Sequence, residues 1–439
     1  MLRQKRIQPH TDEDLASRHD RAVLVGVDRG DSAWPIEESL AELERLAETA
    51  EVEVVGTTIQ RLDRPNPRTF IGSGKADEVA EMAREADANL VIFDDELTPS
   101  QQLNLETALA DIRVIDRTAL ILEIFAMHAV TREGKLQVEL AQQEYVLPRL
   151  RGMWGHLEKE RLGGGRGSRF GAGESQLETD RRMARKRISQ LKRDLTAVAG
   201  ERELQRKARA RSGVFRVSLV GYTNAGKSTL LNALTQAGVL QADMLFATLD
   251  STTRRLHLPE GREVTLTDTV GFIHKLPHGL VEAFKSTLDE VKGADLLLQV
   301  TDAGALQREG QMLAVREVLH EIGVAATPSV IVYNKIDTLP AEEADALRRR
   351  NANAIFVSGL TGEGLEDLLQ RISDDAARGS ITLTALVPYT RGDLVTIAHQ
   401  QAHIVSERHT DEGTQLVLRV PREIAVQFEE FRVPDDTEG

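Results

Sequence analysis

A chain of 439 residues is too long for one small domain and leaves room for about three, each able to bury its own core. Its 41% hydrophobic and 28% charged residues are those of an ordinary soluble globular protein, with no apolar run near the roughly 20 residues that a membrane span needs. The absence of cysteine excludes disulfides and thiolate metal sites and fits a reducing cytoplasm, and a net charge of −14 argues against indiscriminate binding of nucleic acid over the whole surface.

That average hides a local reversal. From Arg151 to Ser212 there are 17 Lys/Arg against 8 Asp/Glu, whereas the rest of the chain has 38 against 61. One basic segment therefore lies in an acidic protein, either as a solvated helix face or as an arm that meets nucleic acid.

The first twenty residues are polar and lack periodicity, and MLRQKRIQPHTDEDL has no apolar core after its basic residues, so it does not read as a signal peptide. AVLVGVD (22–28) reads as a buried strand and IEESLAELERLAETA (36–50) as a helix with Ile36, Leu40, Leu43 and Leu46 on one face. EVEVVGTTIQ is a second strand. A loop, a short strand, a helix and a third strong strand follow in the segment ending LVIFDD, and the helical LNLETALADI and the strand RVIDR complete the unit. Alternating strands and helices imply a parallel sheet covered by helices, an N-terminal α/β domain over 1–130. Within it, the GSGK turn of IGSGKADEV opens a helix but lacks the full spacing of a phosphate loop, leaving a structural turn or a second nucleotide or RNA phosphate site as readings.

From Thr131 the period changes. Leu136, Leu140, Gln143, Leu147, Leu150, Trp154 and Leu157 follow a 4,3 spacing, as do Ala184, Ile188, Leu191, Leu195 and Val198, which predicts an antiparallel helical hairpin over 131–212. Pro148 should kink or interrupt the first arm. Between the arms, LGGGRGSRFGAGESQLETD is a glycine-rich loop, with Gly163, Gly164, Gly165, Arg166, Gly167 and Arg169 at its tip, ending at a cap before the second helix. Such a loop is either a flexible connector or a basic, side-chain-poor probe for a polyanionic cavity, and the cationic RRMARKRISQLKR favours the second.

The chemistry lies in 213–379. VSLVGYTNAGKST is a strand, a loop and a helix start with the spacing of a phosphate-binding loop, comprising Gly221, Tyr222, Thr223, Asn224, Ala225, Gly226, Lys227, Ser228 and Thr229. Its backbone N–H groups can curl around an anion, Lys227 reaches the β- and γ-phosphates, and the Ser228 hydroxyl ligates Mg²⁺. LFATLDSTTRRLHL (245–258) stands where a mobile loop folds over the γ-phosphate. There Thr248, flanked by Phe246, Ala247, Leu249 and Asp250, is the candidate to complete the Mg²⁺ shell, with Thr252 and Thr253 as rivals. VTLTDTVG ends a strand with Asp268, Thr269, Val270 and Gly271, where Asp268 holds Mg²⁺ through water and the Gly271 N–H senses the γ-phosphate. VIVYNKID then places Asn334, Lys335, Ile336 and Asp337 after another buried strand. A carboxylate at Asp337 can accept both the N1–H and the exocyclic amine of guanine, a donor pair that adenine lacks, which selects GTP. Ser358, Gly359 and Leu360 offer backbone to guanine O6, although many GTPases have Ala where Gly359 stands, so this contact is expected to be less rigid.

Two departures bear on mechanism. Phe272 follows DTVG where Ras-like switches keep a Gln that orients the attacking water, so hydrolysis is expected to be slow without a partner or an added cation. Asn224 resembles GTPases that hold a potassium ion at this position, where it acts as an arginine finger would; the alternative is a plain loop-capping Asn. Over 380–439 the pattern becomes a small α+β domain: SITLTALV a strand, GDLVTIAHQQA a helix, HIVSERHTDEGTQLVLRV a hairpin and EIAVQFEEF a last helix. Its histidines lack metal-ligand spacing and read as structural.

The order of these parts, with GGGRG, GESQLETDRR, GYTNAGKSTLLNAL, LFATLDSTTRR, DTVGFIHKLPHGLVEAF and NKID, closely resembles the HflX family of bacterial GTPases over nearly the whole chain. DST at 250–252 departs from the Asp-Pro-Thr common in that family. The resemblance implies GTP hydrolysis with Mg²⁺ held by Ser228 and Thr248, and binding to the large ribosomal subunit and its RNA. It further implies splitting or rescue of stalled ribosomes under stress, with Gly163 to Arg169 thrust toward the peptidyl-transferase region. It is consistent with a cytoplasmic monomer, with peripheral membrane association left open. Two other readings compete: a GTP-dependent switch for a protein partner such as a membrane protease complex, and an RNA-remodelling factor. Twelve Lys/Arg against three Asp/Glu between Arg181 and Arg211 is more positive charge than a protein-binding coiled coil needs, and no helicase set or catalytic nucleophile is visible.

Overall fold

The structure, a computed structural model, describes residues 20–30, 34–109, 112–150, 172–211, 214–235, 245–259, 261–275, 290–378 and 380–433. The chain divides into two compact units, one of 1–129, 135–192 and 275–279, the other of 130–134, 193–274 and 280–439.

In the first unit, strands β1 (Arg21–Asp28), β2 (Glu53–Arg61), β3 (Leu90–Phe93) and β4 (Arg113–Asp116) form a parallel sheet in the order β2-β1-β3-β4. The expected helix α1 spans Ile36–Thr49 and buries Leu40, Leu43 and Leu46, the stripe its spacing sets. Helix α2 (Ser73–Glu85) opens at the GSGK turn. Three details differ from the sequence reading. The short strand expected before α2 is only an isolated bridge between Asn66 and Phe70. Helix α3 (Pro99–Ala108) begins ahead of LNLET because Thr98 and Gln101 form a capping box around Pro99. Helix α4 (Arg117–His128), which the sequence reading missed, follows β4 with no intervening loop, because Asp116 ends the strand and caps the helix through a bond from the Ala119 N–H.

Arg117 is almost wholly buried in this unit. Its guanidinium donates to Asp94 at 2.7 Å, to Glu42 at 3.3 Å and to the Ser39 carbonyl at 2.9 Å. Burial alone would raise the Asp94 carboxyl, but Arg117 and then Lys275 outweigh it and hold it at about 2. Helix α5 (Arg132–Val146) gives way to a single 3₁₀ turn, Leu147–Arg149, at Pro148, as the missing N–H requires. Helix α6 (Ala172–Arg211) runs for 40 residues and starts inside the segment expected to be loop, because ESQLETDRR beyond Gly173 consists mostly of good helix formers. Ala184 and Leu191 of its expected stripe are buried, as is Leu140 on α5, and the ion pairs Arg187–Glu139 and Lys192–Glu144 tie the two helices together. The tip from Gly163 to Arg169 lies outside the described residues.

The second unit contains strands β5 (Phe215–Gly221), β6 (Thr252–His257), β7 (Glu263–Asp268), β8 (Leu296–Asp302), β9 (Ser329–Asn334) and β10 (Ile355–Phe356) in the order β10-β9-β8-β5-β7-β6. All neighbours are parallel except β6 and β7. Helices α7 (Lys227–Thr235), α8 (Arg308–Glu321), α9 (Ala341–Arg350) and α10 (Leu365–Arg378) accompany it. Val217, Leu219, Leu266, Leu298, Val300 and Val332 build its core, so the ends of β5, β7 and β9 are fixed where the motifs begin. The Thr-rich segment expected to be mobile through 258 is paired strand from Thr252 onward.

Beyond it, β11 (Ser380–Val387), β12 (His403–Thr410), β13 (Gly413–Pro421) and β14 (Arg432–Val433) form an antiparallel sheet with helix α11 (Gly392–Gln401). The last helix expected from EIAVQFEEF is one α-turn, Arg422–Ala425, followed by a 3₁₀ stretch, Val426–Phe431, that buries Phe428. Among the described residues no helix is long and apolar enough to cross a membrane.

Candidate functional site

The phosphate-binding loop leaves β5 at Gly221 and enters α7 at Lys227. Gly226 adopts φ +85°, and a Cβ there would fall 2.2 Å from Asn334 Nδ2, so glycine is needed both for the conformation and for the contact. Asn224 is also left-handed, at φ +59°, a conformation that Asn tolerates better than most residues. The Lys227 ammonium is buried and donates to the carbonyls of Gly221 (3.1 Å) and Tyr222 (2.8 Å). Burial pushes it down to about 8, against the opposing pull of Asp268.

Three oxygen-bearing side chains meet beside it. Ser228 Oγ donates to Asp268 Oδ2 at 2.6 Å and lies 2.8 Å from Thr248 Oγ1, which itself donates to Asp268 Oδ2 at 3.2 Å. Burial raises the Asp268 carboxyl, with Lys227 and the two hydroxyls opposing, and Asp268 Oδ1 has no protein partner among the described residues. Two hydroxyls and a carboxylate with a free buried oxygen form a hard-oxygen donor set of the kind Mg²⁺ takes. Of the three threonines open in the sequence, Thr248 stands here, whereas Thr252 and Thr253 lie on β6, with Thr253 Oγ1 2.9 Å from Thr267 Oγ1. Phe246 and Leu249 are buried, and Phe246 has φ +56°. Asp250 turns away from the cluster: it accepts from the N–H groups of Val130 (3.0 Å) and Thr131 (2.8 Å) and from the Thr131 hydroxyl.

The DxxG turn is bound to the phosphate loop. Phe272 N–H donates to Gly221 O at 3.1 Å, Thr223 N–H donates to Phe272 O at 2.7 Å, and His274 N–H donates to the Tyr222 hydroxyl at 2.6 Å. Thr269 Oγ1 anchors the turn on Leu219 O at 2.7 Å. Gly271 packs so closely that a Cβ would sit 2.8 Å from Thr223 Cα and 3.1 Å from Lys227 Nζ. Phe272 is fully buried. The Tyr222–His274 bond was not foreseen; a tyrosine in the loop is visible in sequence, but nothing in the spacing gives its partner.

At the base-binding end, Asn334 Nδ2 donates to Ala225 O (2.9 Å) while its Oδ1 accepts from Gly359 N–H (3.0 Å), which joins two of the motifs. Lys335, at φ +60°, pairs with Asp302 at 3.0 Å, and Asp337 stands exposed in the turn Ile336–Thr338. Ser358 is buried and accepts from Thr361 N–H at 3.0 Å, whereas Leu360 is exposed. Gly359 was expected to loosen this contact. Its N–H is held by Asn334, and an added Cβ would come within 3.1 Å of Thr229 Cγ2, so here the smaller residue fits a tight packing. In the first unit, the GSGK turn engages its own neighbours: Gly72 N–H donates to Gln60 and Lys75 pairs with Glu78.

The sequence matches three family models: "GTP-binding GTPase N-terminal" over 37–126, "GTP-binding GTPase Middle Region" over 128–209 and "50S ribosome-binding GTPase" over 216–335. A protein of Caldanaerobacter subterraneus subsp. tengcongensis named GTPase HflX is 45% identical over 95% of this chain and 95% of its own. GTPase HflX of Escherichia coli K12 is 44% identical over 88% of this chain and 90% of its own. The chain belongs to the HflX family of GTPases. Among solved structures, a complex of SsGBP with GDP is 25% identical, covering 82% of this chain and 99% of that one at a TM-score of 0.45. Membership of the HflX family makes GTP the ligand of this P-loop domain and its hydrolysis the reaction. Phe272, in the place of a water-orienting Gln, has no group that could activate a nucleophile.

Proposed function

We propose that this GTPase is a switch that binds the large ribosomal subunit and dissociates or rescues stalled ribosomes under stress, acting as a cytoplasmic monomer. The observation that carries this reading is the charge partition: the segment from Arg151 to Ser212 holds 17 Lys/Arg against 8 Asp/Glu in a chain of net charge −14. A basic arm on an acidic body favours one defined contact with RNA over general adhesion. The family model matching 216–335 is described as a 50S ribosome-binding GTPase, which supports the same partner. The tip from Gly163 to Arg169 is the part proposed to enter the subunit.

In the proposed cycle, GTP draws the Lys227 ammonium from the Gly221 and Tyr222 carbonyls to its phosphates. Ser228, Thr248 and Asp268 would hold Mg²⁺, which would offset the charge of the β- and γ-phosphates. Asn334 keeps the phosphate loop in register with Ser358, Gly359 and Leu360 at the base, while Asp337 reads guanine. Because Phe272 cannot orient water, turnover waits for the ribosome, with K⁺ held at the left-handed Asn224 as an additional aid.

The test is GTP turnover with and without large subunits, paired with co-sedimentation in a non-hydrolysable GTP analogue. Stimulation and co-sedimentation are expected, and the absence of both rejects the ribosome reading. Deleting 163–169 should preserve GTP binding and abolish subunit splitting. Equal turnover in potassium and sodium buffers would remove K⁺ from the scheme.

A further inference from the structure

Two side-chain oxygens of this site are buried without a partner among the described residues: Asp268 Oδ1, on the Mg²⁺ side, and Thr223 Oγ1. The first belongs to the donor set proposed for Mg²⁺. Thr223 is only 6% exposed, so bulk water does not satisfy its hydroxyl, and a buried hydroxyl left unpaired costs free energy that a folded protein seldom leaves uncompensated.

The surroundings place this residue beside the groups assigned to the phosphates. The Thr223 N–H is already committed to the Phe272 carbonyl, so the hydroxyl is the one donor this residue can offer a ligand. Its Cα and Cγ2 lie against Gly271, whose own near neighbour is Lys227 Nζ. Thr223, through its Cα and methyl, is therefore a neighbour of Gly271 and Lys227, the two groups assigned to the γ-phosphate, and its hydroxyl branches from the same Cβ. Ser228 Oγ and Thr248 Oγ1 are occupied with Asp268.

We infer that the Thr223 hydroxyl is a substrate-contacting group that donates a hydrogen bond to a γ-phosphoryl oxygen and positions that group for attack, supplying from the phosphate loop part of the order that Phe272 cannot supply from the switch. The inference rests on the reading of 221–229 as the GTP phosphate site. Thr223 keeps its proton throughout. A water oxygen bonds to the γ-phosphorus, the bond from that phosphorus to the β–γ bridging oxygen breaks, GDP leaves with that oxygen, and the water's proton goes to the released phosphate and solvent.

The test uses the full chain with Mg²⁺, comparing wild type, Thr223→Val, which keeps the shape and removes the hydroxyl, and Thr223→Ser, which restores it. Affinities for GDP and for a non-hydrolysable GTP analogue are measured beside single-turnover hydrolysis, in potassium and in sodium buffer. In Thr223→Val, GDP affinity should stay within about twofold while analogue binding weakens and the hydrolysis rate falls roughly tenfold to a hundredfold in both buffers. Thr223→Ser should recover most of that rate. Hydrolysis by Thr223→Val at the wild-type rate overturns the inference. So does equal loss of GDP binding in the Val and Ser variants, which would make Thr223 merely structural. Failure of the wild type to bind GDP would instead remove the phosphate-site reading itself.

Discussion

The depressed Lys227 makes nucleotide binding depend on pH in a way that can be worked out beforehand. The folded protein holds this lysine at about 8 instead of 10.5, because burial penalises the charge more than Asp268 supports it. For a base lowered by folding, the sign is that the charged form costs stability. The cost is fully present below pH 8 and is relieved as the pH rises from 8 toward 10.5, with a span of roughly 3 kcal/mol. Phosphates require the charged form, so above pH 8 binding must first take up a proton. Between pH 7 and pH 9 the affinity for GDP should then fall about tenfold, or about 1.4 kcal/mol. Calorimetry in two buffers of different ionisation enthalpy should register close to one proton taken up at pH 9 and almost none at pH 7. The variant Lys227→Arg, whose guanidinium stays charged throughout, separates this from any titration of the base and should show no proton uptake over the same range. Equal proton uptake by wild type and Lys227→Arg, or a flat wild-type profile, would refute the assignment.

Three further outcomes follow from particular contacts. Arg117→Met removes the buried cation that Asp94 and Glu42 share, leaving Asp94 with Lys275, and should destabilise the first unit by about 3–5 kcal/mol in urea unfolding. Asp94 is held at about 2, below its ordinary value, so its contribution persists above about pH 4 and is lost as the pH falls toward 2; the acid unfolding of Asp94→Asn should be correspondingly shallower. Gly226→Ala meets a φ of +85° and a contact of 2.2 Å with Asn334, so it should cost at least about 1–2 kcal/mol locally and abolish GDP binding in a fluorescence titration.

The fold was legible wherever a periodic pattern met its own punctuation. AVLVGVD, VSLVG and VIVYN each lie in strands that stop at a polar or glycine residue, and those stops position the motifs. What was lost had no punctuation: Asp116 serves both β4 and α4, so the sequence offers no loop between them. The start of α6 was misplaced for the opposite reason, since a run of glycines suggested loop beyond the point where helix formers take over. At the site, spacing gave the residues but not their partners. Whether Thr248, Thr252 or Thr253 stands by Ser228 depends on where β6 begins to pair with β7, a matter of register rather than composition. The Tyr222–His274 bond and the unpaired Thr223 hydroxyl are likewise set by the close approach of the DxxG turn to the loop.

Asp250 offers the last test, because one carboxylate of the segment proposed to fold over the γ-phosphate supports the start of a helix. It accepts from the N–H groups of Val130 and Thr131 and from the Thr131 hydroxyl, and that hydroxyl in turn accepts from Gly134 N–H at 3.0 Å, in the manner of an N-cap. Asp250→Ala leaves two backbone donors without this acceptor and the Thr131 side chain without its support, worth together about 1–3 kcal/mol. Thr248, two residues earlier, stands with Ser228 and Asp268, so any displacement of this segment on loss of the γ-phosphate moves Asp250 as well. Amide exchange at Val130, Thr131 and Gly134 should accordingly be slower with a GTP analogue than with GDP in the wild type. In Asp250→Ala it should be fast with both. If the variant keeps the wild-type difference between the two nucleotides, the carboxylate does not connect the loop to the helix start.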